Sequence, residues 1–170
     1  MIYEQVASLI ETYKTRDPEE LLILSGIKIF ENEFEKLLGM YACVSDERIV
    51  ILNSLLSPEN RKMVSAHELG HHVLHFKEAE LTGFKEFSLD SQIGTYKYEA
   101  NAFASHLLIP DSEFLELATT GITVEKMASM LSVDQNLVLI KNNEMAKLGY
   151  KLNNQDWYNS RFLKNKKPSA

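Results

Sequence analysis

Cysteine is nearly absent. Cys43 is the only one in 170 residues, so no disulfide can form within the chain, and a reducing compartment is expected. Its strand-like surroundings suit a buried thiol, and no base lies near it in sequence to make it a nucleophile. Positive charge is also short: 18 Lys and Arg face 24 Asp and Glu, for a net charge of -6 and a pI near 5.4. That balance gives no overall pull toward phosphate backbones or acidic membranes. Missing as well is any apolar run near the roughly 20 residues of a membrane span, and residues 1–5 lack the positive start and apolar centre of a signal peptide. The expectation is a soluble, cytoplasmic protein that does not engage a membrane. With 45% apolar residues, the chain can bury one substantial core, about two thirds of its unfolded surface.

What is present is concentrated in one stretch. Residues 67–75 read His-Glu-Leu-Gly-His-His-Val-Leu-His and hold four of the five histidines. They lie inside a helical, apolar run from 58 to 76. At 100° per residue, His67 and His71 fall about 40° apart. They share an arc with Met63, Val64, Gly70 and Leu74, so the ring pair should face the interior. Glu68 lies about 100° from His67, at the edge of a polar strip made by Arg61, Ser65, His72 and His75. This is the His-Glu-x-x-His pattern. Two imidazoles one turn apart can share one Zn²⁺, and the adjoining Glu can take a proton from water activated there. An accidental pair of core histidines beside a surface Glu is the ordinary alternative.

A catalytic zinc needs a third protein ligand and one open position. The longer motif with a third His is excluded, because Leu74 stands at its Gly and Lys77 at its His. On a straight helix His75 points about 80° from His67. A carboxylate from a second helix remains, and residues 98–110 offer Glu99 among small and apolar residues. A surface Glu in a helix's first turn, favoured by the macrodipole, is the competing account.

His67-Glu68-Leu69-Gly70-His71, followed some thirty residues later by Glu99-Ala100-Asn101-Ala102-Phe103-Ala104, then Leu107, Leu108 and Pro110, resembles the ImmA/IrrE family of small zinc metallopeptidases. The likeness runs from about residue 18 to 150, and the second motif is the more specific. The resemblance implies that His67, His71 and Glu99 bind Zn²⁺ and that Glu68 is catalytic. It also implies a protein substrate, a transcriptional repressor of a phage or mobile element, which would make this chain an anti-repressor. Longer members carry a C-terminal sensory domain for which this chain has no room, leaving its activation open. The expected fold is α+β: a gluzincin-like zinc peptidase core over residues 1–110, with a small mixed sheet packed on the metal helix. A helix-turn-helix-like segment over 111–150 and a polar, partly disordered tail over 151–170 should follow.

Along the chain, Ile2, Val6, Leu9, Ile10 and Tyr13 mark an amphipathic first helix. Asp17 before Pro18 signals a second helix, stopped by Ser25-Gly26. Residues 27–30 read as a short strand. Residues 37–44 and 49–53 read as a hairpin around a four-residue turn, its second strand covered on both faces. Either hairpin strand is a possible edge for an extended substrate. Ser57 and Pro58 open the metal helix. Residues 77–97 read as a long connection bordering the site, with room for a short strand or two. Its Tyr96 and Tyr98 are candidates to steady an oxyanion, ring packing being the alternative.

Pro110 precedes a short helix to about 118. Two further helices follow over 123–131 and 133–147, the second introduced by a capping box of Ser132 and Gln135. Gln135, Asn136 and Lys141 are the residues that second helix could show to DNA. With a net charge of only +1 over 121–152, a helical interaction module is preferred to a DNA reader. Trp157 and Phe162 could pack back onto the body. Two other readings of the metal stretch stay open. Two His and a carboxylate also describe a non-haem Fe(II) site, in which Glu68 has no part. Structural zinc in a regulatory protein would need His72 or His75 as a fourth ligand.

Overall fold

The computed structural model describes residues 1–45, 47–86 and 94–152. Helix α1 (Ile2–Tyr13) and α2 (Pro18–Leu24) lead into β1 (Lys28–Asn32), β2 (Gly39–Val44) and β3 (Glu47–Asn53). The histidine-rich helix α3 (Pro58–Leu74) is followed by α4 (Phe76–Thr82), β4 (Phe84–Glu86), α5 (Thr95–Leu108), α6 (Asp111–Ala118), α7 (Val124–Leu131) and α8 (Gln135–Lys147). The result is an α+β fold with one small mixed sheet of order β1-β3-β2-β4, in which only β1 and β3 run parallel. No helix among the described residues is long and apolar enough to cross a membrane.

Helix starts follow the local chemistry. The Asp17 carboxylate accepts the Glu20 N–H, and the Ser57 hydroxyl accepts the Asn60 N–H, each just before a proline at the first helical position. Both devices satisfy backbone donors that a helix start leaves open. Arg61 on α3 then grips Glu19 of α2 through two bonds, at 2.6 and 2.8 Å, and reaches Glu31 of β1 at 2.8 Å. One guanidinium fork thus fixes a helix and a strand against α3.

Several sequence expectations are corrected. Val44 pairs with Glu47, so the hairpin turn is two residues and not four; Ser45 takes φ 51°, the left-handed backbone a tight turn needs. Along β3 only Val50 and Leu52 of the apolar run are buried, while Ile49 and Ile51 are half-covered. Neither hairpin strand is an edge: β3 lies between β1 and β2, and β2 lies between β3 and β4. Residues 77–97, read as a connection with room for a short strand or two, do carry the strand β4, but they begin with most of the unexpected helix α4. The capping box at Ser132 does not form. Ser132 ends α7 in the left-handed conformation, φ 53°, and Asp134 caps α8 by accepting the Asn136 N–H. A chain reversing between two helices needs one left-handed residue, which displaces the cap by two positions.

The face proposed for DNA is not displayed. Asn136 and Lys141 are buried, because α8 packs that side onto α5. Lys141 meets the Asp111 carboxylate and, at 3.0 Å, Nδ1 of His106. Trp157 and Phe162 lie outside the described residues, as does the tail beyond 152. One apolar cluster runs from Leu21 and Val50 through Leu69 and Phe103 to Val138 and Met145, crossing residue 110 without a break.

Candidate metal centre

The site forms where α3 and α5 touch. Gly70, between His67 and His71, makes the approach possible: a Cβ there would stand 3.0 Å from both the Cα and the carbonyl oxygen of Ala100. Two helix backbones can come this close only where one lacks a side chain. The residues flanking Ala100 on α5, Glu99 and Asn101, are thereby set beside the histidines.

His67 and His71 face each other with Nε2 atoms 3.1 Å apart, both rings buried. Zn–N bonds of about 2.0–2.1 Å at a tetrahedral angle separate two nitrogens by roughly 3.3 Å, so the spacing suits a shared ion. The outer ring nitrogens are spoken for. His67 Nδ1 lies 2.8 Å from Oδ1 of Asn101, and His71 Nδ1 lies 3.0 Å from Nδ1 of His75, whose Nε2 is 2.8 Å from Oε2 of Glu99. Tautomers follow from these partners. The Asn101 oxygen can only accept, so His67 carries its proton on Nδ1 and leaves Nε2 bare. An ionised Glu99 can only accept, so His75 donates from Nε2, accepts at Nδ1, and draws the His71 proton to Nδ1. Both Nε2 lone pairs therefore point into the same space, the state a metal requires. Burial first, then neighbouring His67, His75 and Lys97, pushes His71 down to about 2, which keeps its ring neutral.

Glu68 is fully buried, which corrects its placement on a polar strip. Ser65 and His75 of that strip are buried too, Ser65 against Glu19 of α2 and His75 against Glu99 of α5, because neighbouring elements cover faces that a lone helix would expose. Neither Glu68 oxygen receives a full hydrogen bond, although the Tyr41 backbone approaches closely enough to steady the charge. Burial, and secondarily the charge of Glu86, raise its pKa well above the usual carboxylate range; the Tyr41 backbone and Lys97 work the other way. Gly39 of β2 leaves room for it, since a Cβ there would meet Glu68 Oε1 at 2.9 Å and Val64 Cγ1 at 2.5 Å. A solitary buried carboxylate is costly. It fits a site whose water and cation are the missing partners.

Glu99 sits on the first turns of α5, its carboxylate on His75 and not on the facing Nε2 pair. The carboxylate at that pair is Glu86, whose Oε2 lies 3.0 Å from His67 Nε2 while Lys97 holds Oε1 at 2.6 Å. As placed, no three described His, Cys, Asp or Glu side chains form a complete set of metal ligands. Sequence reasoning missed Glu86, Asn101 as a partner of His67, and the inward turn of His75. Asn101 stood in the quoted second motif, which was the available signal. His75 turns in because it ends α3 with φ -129° and starts α4, leaving the straight-helix projection.

The two tyrosines part company. Tyr98 donates to Glu144 of α8 at 2.7 Å, away from the histidines, and burial and then that bond raise its pKa. Tyr96 is half-exposed and meets His75 edge-on, with ring centroids 4.9 Å apart. His72 points to the other side of α3, where its Nδ1 meets the Tyr41 hydroxyl at 2.9 Å, and burial and then Arg48 lower it to about 4.

Residues 24–140 match a peptidase family model described as the IrrE N-terminal-like domain. Uncharacterized immunity region protein 2 of Bacillus phage phi105 is 34% identical over 142 residues, covering 83% of this chain and 89% of that protein. Metallopeptidase ImmA of Bacillus subtilis (strain 168) is 27% identical over 137 residues, 78% of each chain.

Proposed function

The chain belongs to the ImmA/IrrE family of metallopeptidases, and from that premise we propose that it is a zinc-dependent endopeptidase that cuts a transcriptional repressor of a phage or mobile element. The observation that carries the reading is the pairing of two buried Nε2 atoms, 3.1 Å apart, with a fully buried carboxylate that receives no full hydrogen bond. His67 and His71 hold the ion. Glu99 is the third ligand: it hangs from the residue next to Ala100, whose backbone rests on Gly70 between the two histidines.

Zinc, when bound, supplies Lewis-acid activation of water and of the scissile carbonyl. Glu68 takes the proton of the attacking water and returns it to the leaving amine, a role worth roughly 10²- to 10⁴-fold in rate. Its raised pKa suits a group that must hold that proton between the two steps. Asn101 and His75 keep the two ligand rings in the tautomer with Nε2 bare. The repressor assignment is supported by the immunity-region name of the phage relative and the metallopeptidase name of the bacterial one.

Co-expression with the repressor of the same immunity region tests the reading. Cleavage should occur with the natural chain and vanish with Glu68→Gln, which should still bind one zinc. Full cleavage by Glu68→Gln would refute the assignment.

A further inference from the structure

Glu86 is buried, and one oxygen of its carboxylate lies against the nitrogen with which His67 would hold a metal. Its Oε2 is 3.0 Å from His67 Nε2, the ring nitrogen opposite the one that meets Asn101. His71 Nε2 lies 3.1 Å from that same His67 atom. Two imidazole nitrogens and a carboxylate oxygen gathered this closely are donors that a zinc ion takes. Lys97 is engaged at the far oxygen, Oε1, and so orients Oε2 toward the histidines.

We propose that Glu86 is a fourth protein ligand of the resting metal site, closing the corner at which water and substrate must enter. This rests on the zinc-peptidase reading above and adds to it a latent state. The strand that carries Glu86 also does the covering. Phe84 stacks flat on His71, with centroids 4.0 Å apart and planes 8° from parallel. Glu86 pairs with Gly39, the residue that makes room for Glu68. With His67, Glu68 and His71 all no more than 4% exposed, a peptide bond has no access while β4 is in place.

The attachment is slight for a structural element. Among the described residues, β4 is an edge strand that pairs with Gly39, Met40 and Tyr41 of β2, with one further bond from the Leu38 N–H to the Glu86 carbonyl at 2.7 Å. Its departure would leave β1, β3 and β2 paired. It would also bare the β2 edge beside Glu68, where an extended substrate can add as a strand. Glu86, though buried, is carried on the shortest described strand, at the edge of the sheet, where it can leave without unpairing the other three.

Cobalt(II)-substituted protein provides the test, with acetohydroxamate as a probe of the open corner. Wild type, Glu86→Gln and Glu86→Ala are compared; the Gln variant keeps size and hydrogen bonding, so it guards against loss of fold. All three should bind one cobalt. Both variants should show an altered visible spectrum and bind acetohydroxamate at least tenfold more tightly than wild type. Identical spectra and equal acetohydroxamate affinity across the three, with His71→Ala and Glu99→Ala losing the metal, would overturn the Glu86 assignment alone. A wild type that takes up no cobalt, or His71→Ala and Glu99→Ala loading as wild type does, would overturn the peptidase reading and this one with it.

Discussion

Asn101 shows how much one side chain can decide at the scale of a residue. Its Oδ1 fixes which nitrogen of His67 carries the proton, and its Nδ2 has no partner. The amide is thus held for the histidine alone, which a buried group must offset elsewhere. Asn101→Ala should leave the helix intact yet lower zinc affinity roughly 10- to 100-fold, the usual effect of removing a group that orients a metal-binding His. Asn101→Asp, an acceptor of the same shape, should recover most of it. Competition with a chromophoric chelator measures both, and equal affinity in Asn101→Ala and wild type would deny the residue that role. The sequence pointed to His67, His71 and Glu68 because their relation is set by one helical turn. Glu86 was illegible because its approach depends on which strand β4 joins, and nothing in residues 84–86 states that partner.

At the scale of an element, the decisive contact is α3 against α5, and Gly70 sets its distance. Gly70→Ala would place a methyl 3.0 Å from the Ala100 backbone and 3.2 Å from Phe103 Cβ, so the helices must part by a few tenths of an ångström. Overpacking of this kind costs about 1–3 kcal/mol, against up to about 1 kcal/mol gained from alanine's helix propensity. A net loss of about 1–2 kcal/mol is expected in urea unfolding, with weaker zinc binding, because Glu99 and Asn101 ride on the displaced helix. Unchanged stability and zinc affinity would mean that the helix spacing is slack. Element starts were readable wherever a side chain caps its own backbone, as at Asp17 and Ser57. They were misread where two elements compete for the same residues, as at Ser132, which the chain reversal claims before the next helix can use it.

At the scale of the whole molecule, α5 joins the metal centre to a second buried polar cluster. Glu99 and Asn101 serve the histidines at one end. At the other, His106 and Asp111 meet Lys141 of α8, Tyr3 of α1 donates to Asp111 at 2.9 Å, and Arg16 donates to the carbonyls of His106 and Leu107. Helices that sequence spacing alone would set apart are thereby tied to the end of α5, and binary patterning gave no hint that Lys141 points inward. The cluster sets a pH limit. Burial lowers His106 to about 4, and Lys141 adds to this because its ammonium already donates to Nδ1, where a second proton would have to go. Glu144 and Asp111 oppose the shift and Lys147 reinforces it. A folded pKa below the unfolded value near 6.5 contributes stability that is complete above about pH 6.5 and is lost as pH falls through about 4. The loss is on the order of 3 kcal/mol. Asp111 extends the decline further: burial raises its pKa, but the Lys141 hydrogen bond and charge outweigh that and leave it lowered, so its share goes only as pH falls below the ordinary carboxylate range. Metal-free protein should therefore lose stability from pH 6.5 to 4 in urea titrations. His106→Gln should start less stable at pH 7 and decline less over that window, the share of His71 and His72 remaining; a parallel decline in the two proteins would remove His106 from the titrating groups.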